Sequence, residues 1–475
     1  MTATGSLARL RGISAPLWVA VVAAYVIFTP VSNNVVLYPL LLSVVLLAGL
    51  EFWRSDRVVD KNFLVIAGLW VVFVVIGVAV ALLRGAESWM RVLVFMAFWP
   101  TLFAVLVLGF QRWAIRLVFW AGAIVTILIG VMFAVGALAA GSRVPEVVVP
   151  SVLASQQTLR YVVDAEGVIA LSAHSLPSLL WWAPMWIASL FCGRRNRYLP
   201  PLWLRTAAAS MAFAGAMIAW RRGIVVAVVL TPVVILVAWM LLSAKNGTPV
   251  LPRRERVLSW VAPVGSFLVV GVGVAIMVQT ELLTILGRGV HSIAVTAGLR
   301  DPEVDPSTID LPNLAPPVLT SQDDQLADAL RLNESDALTS PTGPVGWLFG
   351  KGFGASIDRG TVERDMAPWQ TELQYHMLFF WSGLVGVVLL CVIAFFAIRV
   401  LRKAFQGDPS LRGVLVVSAV GATAALLGNA TNPYLQAPGH MWPVFLPFMV
   451  AAVMLRKDVE PAEPRAVVRS DVTDV

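Results

Sequence analysis

The chain has 475 residues, of which 58% are hydrophobic and only 13% are charged, and its mean hydropathy is +0.81. Soluble domains carry about 25% charged residues, so this composition excludes an ordinary soluble protein and favours a membrane protein of many apolar helices. The net charge of +7 comes from Lys and Arg in short gaps between apolar runs, where they indicate membrane topology. We therefore predict membrane lipids as partners, and no nucleic acid.

Apolar runs long enough to cross a bilayer recur along the whole chain, and a crossing needs about 20 such residues. The sequence therefore predicts an all-α polytopic membrane helical bundle with about twelve transmembrane helices. The predicted spans are 14–32, 35–53, 63–83, 92–110, 117–140, 177–193, 206–220, 223–243, 258–279, 376–398, 413–429 and 441–455.

Basic residues give the predicted orientation of these spans. With Arg9 and Arg11 inside, every second gap is cytoplasmic, and most Lys and Arg fall in those gaps. An even number of spans places both termini in the cytoplasm, as expected for a multi-pass protein of the cytoplasmic (inner) membrane. The predicted organisation is a cytoplasmic N-terminus (1–13), helices one to nine with an outer loop at 141–176 (14–279), a large extracytoplasmic loop (280–371), helices ten to twelve (372–455) and a disordered cytoplasmic tail (456–475).

Two adjacent arginines interrupt the apolar stretch "AGAMIAWRRGIVVAVV" without a polar loop around them. Arg221 and Arg222 lie on the predicted outer side, against the usual distribution of positive charge. A guanidinium group presents a planar fork of donors that matches a phosphate, so the pair is a candidate anion-binding site. In the alternative interpretation the pair closes a tight hairpin between two helices and extends to lipid headgroups.

Glu372 and His376 lie four residues apart where the tenth predicted span begins. If the helix has already begun at Glu372, both side chains face one side of it. A carboxylate and an imidazole at that spacing can share a proton and act as a general base. The alternative is a glutamate favoured by the helix dipole beside a histidine at the membrane interface. Because the spacing of His, Cys and acidic residues does not support a metal site, we predict none.

The segment "LFGKGFGASI" precedes this span and contains Gly352 and Gly354. A phosphate-binding Walker loop needs G-K-[ST] after a strand, and both are missing here. We therefore predict a tight structural turn that returns the chain from the outer loop to the membrane.

Together with "ELQYHMLFFWSGLVGVVLL", this segment resembles the signature of the O-antigen ligase and polymerase family of bacterial membrane glycosyltransferases. Gly352, Gly354, Gly383 and Gly386 fill the glycine positions of that signature. The stretch "RRGIVVAVV" is similar to the family's S-R-G motif, and "NPYLQAPGHMWP" is similar to its Asn-Pro turn before the last span. Twelve spans with a large outer loop between the ninth and tenth also match the layout of the family's ligases.

The resemblance implies roles for particular residues. Arg222, and Arg331 in "DQLADALRLNESDAL", look like the arginines that bind the donor diphosphate; Arg331 by itself would be read as a solvated surface charge. The family's ligase histidine falls at Glu372, and some polymerase-like members also have an acidic residue there. The departure favours a polymerase-type or divergent transferase.

The resemblance also implies a reaction. The donor is a polyprenyl-diphosphate-linked glycan, the acceptor is a hydroxyl of a glycan or glycolipid, and the anomeric centre is inverted without a metal ion or a cofactor. Two other functions stay open at this point. One is a transporter or flippase for a polysaccharide or a lipid-linked oligosaccharide, and the other is a non-catalytic scaffold for envelope assembly.

Overall fold

A computed structural model of the chain describes residues 3–30, 34–54, 59–140, 160–163, 169–192, 196–219, 222–243, 335, 337–339, 343–357, 373–430 and 433–456. Helices dominate this part of the chain. Eight of its helical segments are long and apolar enough to cross a membrane. The prediction of a helical membrane bundle is thereby confirmed, whereas the number of twelve spans stays a prediction.

In chain order the elements are α1 (Ala3–Phe28), α2 (Asn34–Trp53), α3 (Lys61–Leu83), α4 (Trp89–Leu93), α5 (Trp99–Gly109), α6 (Arg112–Ala140), β1 (Arg160–Val163), β2 (Ile169–Ser172), α7 (Leu176–Ser189), α8 (Leu202–Ile218), α9 (Arg222–Ser243), α10 (Gly343–Phe349), α11 (Gln374–Phe405), α12 (Arg412–Gly428) and α13 (Pro438–Leu455). A π-helical turn joins α4 to α5, and short 3₁₀ turns precede α12 and α13.

Every predicted span overlaps a described helix except 258–279, which lies outside the described residues, and the span 92–110 covers α4, the π-helical turn and α5 together. The most extended is α11, which continues to Phe405 instead of ending near residue 398. Inside the predicted outer loop, β1 and β2 pair as a short antiparallel hairpin, a local exception to the helical fold.

The π-helical turn between α4 and α5 shows how an apolar bundle satisfies its backbone. Pro100 has no N–H, so a regular helix would leave the carbonyl of Met96, four residues earlier, without its usual donor. The indole Nε1 of Trp70, on α3, donates a hydrogen bond to this carbonyl at 2.7 Å. Because water is absent from the hydrocarbon core, this bond holds α3 against the α4–α5 segment.

The two ends of the bundle are distinct, and we call the end at which α11 begins the upper end. The C-terminal end of α3, the C-terminal end of α12 and the start of α13 also lie there. At the opposite, lower end, the Lys403 ammonium pairs with the Asp60 carboxylate. Arg112 Nη2 lies 3.1 Å from Asp408 Oδ2 at the same end.

The centre of the bundle is packed with aromatic side chains against small residues. Trp182 and Trp186 of α7 are fully buried and stack with a ring separation of 5.2 Å. A Cβ at Gly122 of α6 would lie 2.3 Å from the Trp182 ring, so only glycine lets the two helices approach this closely. Such small-residue contacts are typical of helix packing in membranes.

Candidate functional site

His376 lies in the first turn of α11 and is half-buried. Its Nδ1 is buried and has no hydrogen-bond partner in the described part of the chain. The helix begins at Gln374, with Leu373 as a non-helical N-cap. Glu372 itself lies outside the described residues. Because α11 begins two residues after Glu372, helical spacing alone does not place the carboxylate relative to the imidazole.

Of the three predicted diphosphate-binding arginines, the structure describes only the backbone of Arg222, which is the first residue of α9. Arg221, Arg331 and the Arg222 side chain lie outside the described residues. A helix begins with unpaired backbone N–H groups and the positive end of its dipole, which favour an anion. The position of Arg222 is therefore compatible with the predicted anion site, which stays a prediction.

The predicted glycine turn has positive φ angles at Gly350 (72°), Gly352 (89°) and Gly354 (76°). These values belong to the left-handed region that glycine adopts without strain. We call residues Gly350–Gly354 the glycine loop. It lies between α3, the turn that follows α3 and the upper part of α11, since Cβ atoms at Gly352 and Gly354 would come within 2.4 Å of the backbones of Ala81 and Ser88.

The upper part of α11 is interrupted where the glycine loop meets it. Gly383 has a φ of 59° and a ψ of −162°, which no α-helical residue adopts. The backbone N–H groups of Lys351 and Gly352 donate to the carbonyls of Phe380 and Trp381, at 2.7 and 2.9 Å. The first nine residues of α11, from Gln374 to Ser382, therefore form a separate segment, which we call the α11 head.

The α11 head is also bound at its start. Gln374 is buried, and its Oε1 accepts a hydrogen bond from Gln436 Nε2 at 2.8 Å. The Tyr375 hydroxyl donates to the carbonyl of Leu426, near the end of α12, at 2.6 Å. These contacts attach the segment that carries His376 to the connection between α12 and α13.

A second buried polar group lies in the same connection. His440, on the first turn of α13, is 4% exposed and forms a hydrogen bond with the backbone of Tyr434. Its Nε2 has no partner among the described residues, and its ring lies 5.7 Å from that of the fully buried Trp181. Buried polar groups normally have a partner, so this corner of the upper end is unusual for an apolar bundle.

Sequence reasoning places Gln436 and His440 in the predicted outer turn before the last span, but it does not predict that this turn lies beside Gln374. Gln374 and Gln436 are 62 positions apart, and no periodic pattern connects them. The available signal was the Asn-Pro segment "NPYLQAPGHMWP", which brings two polar side chains and a histidine between apolar helices.

Within the ranges that the structure describes, no group of three or more His, Cys, Asp or Glu side chains is arranged to hold a metal ion. Because Glu372 lies outside those ranges, the prediction of a metal-free site stays a prediction.

Comparisons with models of protein families, with curated proteins and with solved structures find no significant match to this chain.

Proposed function

We propose that this protein is a glycosyltransferase of the cytoplasmic membrane that works at its outer face. It transfers or polymerises a polyprenyl-diphosphate-linked glycan onto a sugar hydroxyl. The observation that carries the proposal is that α9 and α11 pack against each other and both begin at the upper end. The start of α8 lies at the lower end, where Arg205 bonds to the Ser189 carbonyl and Cys192 contacts the start of α12, so α9, which follows α8, begins at the upper end. Arg222 begins α9, and His376 lies in the first turn of α11, shortly after Glu372. The resemblance assigns the diphosphate contact and the proton acceptor to these two helix starts.

The distribution of basic residues supports an outward-facing upper end. Lys and Arg of short loops concentrate on the cytoplasmic side of membrane proteins. At the lower end the described helices and loops carry Lys61, Arg112, Arg116, Arg197, Arg205, Arg399, Arg402, Lys403, Arg412 and Arg456. Among the described residues, the upper end carries fewer basic residues: Arg84, Arg91, Arg160, Arg222 and Lys351. In the proposed orientation the lower end is cytoplasmic, and both predicted sites are at the outer boundary of the membrane.

In the proposed reaction the acceptor hydroxyl oxygen attacks the anomeric carbon of the donor glycan. The bond from that carbon to the diphosphate oxygen breaks, and its electron pair leaves on the diphosphate. Arg222 and Arg331 stabilise the charge that develops on this leaving group. The Glu372 carboxylate accepts the hydroxyl proton, with His376 in support. Attack opposite the leaving group inverts the anomeric centre.

The position of this chemistry follows from the donor. A polyprenyl tail stays in the bilayer while its diphosphate and glycan lie at the surface. Reacting groups are therefore needed at the boundary between lipid and water, where the α11 head begins.

A transporter or flippase is the main alternative, and the described helices disfavour it. Translocation routes place charged groups near the middle of the membrane. In the described helices Asp, Glu, Lys and Arg occur only near the helix ends. The activity measurement below distinguishes a non-catalytic scaffold from a transferase.

The test uses cells that lack the endogenous protein, with glycan chain length read on a gel. We expect Arg222→Ala to lower transfer by about 10²–10³-fold, as for loss of one charge-stabilising donor, at an unchanged protein level. Arg222→Lys keeps the charge but loses the planar fork, so we expect an intermediate activity. Arg84→Ala is the matched control, because Arg84 is an exposed arginine at the upper end outside the predicted site.

The products also separate the two reaction types. Single-unit glycan from the variants indicates a polymerase, whereas full-length chains left on the polyprenyl carrier indicate a ligase. Normal glycan from Arg222→Ala at a normal protein level would reject the proposed diphosphate site, and no transfer by the purified wild-type protein supplied with lipid-linked glycan would reject the proposed activity.

A further inference from the structure

The interruption of α11 leaves two backbone carbonyls that the helix itself does not satisfy. In a continuous helix the carbonyls of Phe380 and Trp381 would accept from the N–H groups four residues later. The positive φ of Gly383 prevents that geometry. The N–H groups of Lys351 and Gly352 take their place, so a segment 29 positions earlier in the chain completes the helix. An unsatisfied carbonyl in hydrocarbon costs several kcal/mol, so these two hydrogen bonds contribute substantially to the stability of the upper end.

Only glycine permits these backbones to approach so closely. A Cβ at Gly350 would lie 2.4 Å from the carbonyl carbon of Trp381, and one at Gly383 would lie 2.5 Å from the amide nitrogen of Gly350. On the other side of the loop, a Cβ at Gly352 would lie 2.3 Å from the amide nitrogen of Ala81 on α3. The glycine loop therefore fits between α11 and α3 without space for a side chain at these positions.

One side chain anchors the loop between its glycines. Phe353 is fully buried, its backbone N–H donates to the carbonyl of Gly77 at 3.1 Å, and its ring contacts those of Phe73 and Trp381. The indole Nε1 of Trp381 donates in turn to the carbonyl of Ala355 at 3.1 Å. The loop is thus fixed to α3 and to the α11 head at once.

The break at Gly383 means that the lower part of α11 does not determine the direction of the α11 head. The head is instead held by the glycine loop at its lower end, and by the contacts of Gln374 and Tyr375 at its start. A shift of the glycine loop relative to α3 would therefore move His376.

We propose that Gly350, Gly352 and Phe353 are positioning residues: the glycine loop sets the placement of the α11 head, and thereby the geometry of proton transfer by Glu372 and His376. The inference rests on the proposed function for its catalytic consequence. In this scheme the loop takes no part in the reaction itself. It acts through α11, so disturbing it changes the turnover number kcat more than the binding of donor or acceptor, because small displacements of a catalytic group lower rates strongly.

The first test compares two Gly→Ala substitutions at positions with similar positive φ angles. Gly352→Ala introduces a Cβ against the backbone of Ala81, whereas Gly343→Ala meets nothing within 4 Å among the described residues, at a similar φ of 78°. In proteoliposomes with a lipid-linked glycan donor, we expect Gly352→Ala to lower kcat by about tenfold or more with KM within about twofold of wild type. Gly343→Ala should keep the wild-type kcat.

A second pair of variants decides the question if Gly352→Ala fails to fold. Phe353→Leu loosens the anchor of the loop, and Phe103→Leu removes the same volume from another fully buried phenylalanine, on α5. Both should lose similar stability, of about 1–2 kcal/mol. Only Phe353→Leu should lower kcat, by about three- to tenfold. Equal kcat values for the two variants would overturn the positioning role.

A distance measurement makes the inference independent of activity. Spin labels at Leu378→Cys on the α11 head and Arg84→Cys at the end of α3, in a protein with Cys192→Ser and Cys391→Ser, report the placement of the head. We expect the distance distribution to shift or broaden in Phe353→Leu and to stay unchanged in Phe103→Leu. An unchanged distribution in both overturns the inference. An inactive wild-type protein would overturn the proposed function alone, and the label distances would still decide whether the loop places the head.

Discussion

In the described part of the chain, side chains of opposite charge connect the helices at the lower end of the bundle, whereas the hydrogen bonds described above at the upper end are made by backbone groups and uncharged side chains. Lys403 pairs with Asp60, and Arg112 pairs with Asp408, across the lower ends of α11, α3 and α6. At the upper end, Lys351 and Gly352 donate backbone hydrogen bonds to α11, and Gln436 bonds to Gln374.

The difference has a physical consequence for tolerance to substitution. Long charged side chains at a surface adjust to small displacements, and an exposed ion pair contributes only about 0–1 kcal/mol. Two backbones in contact cannot adjust, because an added Cβ overlaps atoms that belong to the main chain. The upper end should therefore be sensitive to single methyl groups, and the lower end should tolerate the loss of the charges of Asp60 and Asp408.

The largest effect is expected for Gly350→Ala. Its Cβ would lie 2.4 Å from the carbonyl carbon of Trp381, so either the glycine loop or the α11 head must move and break the hydrogen bonds between them. We expect a loss of at least about 3 kcal/mol in the free energy of unfolding, measured by denaturation in mixed micelles. The control Gly85→Ala has a φ of 68° and meets nothing within 4 Å among the described residues. It should lose only about 1–2 kcal/mol, from strain. Equal losses would contradict the close contact.

A smaller effect, with a distinctive pattern, is expected for Gly77→Ala. Here the added Cβ would lie 2.5 Å from the Phe353 ring. Unlike a clash with the backbone, this overlap can be relieved by replacing Phe353 with a smaller residue. We expect Gly77→Ala and Phe353→Leu each to cost about 1–3 kcal/mol in unfolding free energy. The loss of stability in the double variant should be smaller than the sum of the two single losses by about 1 kcal/mol or more. The same denaturation measurement tests this, and simple additivity would show that the ring does not lie against α3.

Hydropathy was sufficient to predict much of the fold. The predicted span 35–53 corresponds to α2 (Asn34–Trp53), and 441–455 lies within α13 (Pro438–Leu455), because apolar length alone determines which segments enter a bilayer. The same reasoning cannot detect a break inside an apolar run. Gly383 lies in the uninterrupted sequence "FFWSGLVGVVLL", and its left-handed conformation depends on the glycine loop beside it.

The candidate site was less predictable for the same reason. The turn at Gly352 and Gly354 follows from local sequence, but its contacts with Ala81 and Trp381 join residues far apart in the chain. The buried Gln374–Gln436 hydrogen bond likewise depends on tertiary packing. The roles of Arg221, Arg222, Arg331 and Glu372 stay predictions that the variants above test.

The smallest expected effect concerns the carboxylates of the lower end. Burial alone would raise the pKa of Asp60, but hydrogen bonds from Lys403 and the Asn62 amide outweigh it, and the pKa is below the ordinary value of 3.8. Burial likewise opposes the shift of Asp408, whose pKa is lowered by hydrogen bonds from Ser410 and by the charges of Arg112 and Arg197. Each ionised carboxylate therefore stabilises the fold above pH 3.8, and this stabilisation is lost as the pH falls through the lowered pKa.

We expect the wild-type protein to lose stability as the pH falls from about 5 to 3, measured as the melting temperature in detergent. Asp60→Asn combined with Asp408→Asn should lose less over this range, because neither position titrates. Asparagine keeps both capping functions, since it accepts the same backbone hydrogen bonds as Asp60 and Asp408 at the starts of their helices. The difference between the two proteins should be about 1 kcal/mol per carboxylate, because the Lys403 and Arg112 partners remain partly exposed to solvent. An identical pH dependence in the two proteins would show that these ion pairs do not stabilise the lower end. If the double Asp→Asn variant lost more unfolding free energy than Gly350→Ala, the lower end would be the more sensitive of the two.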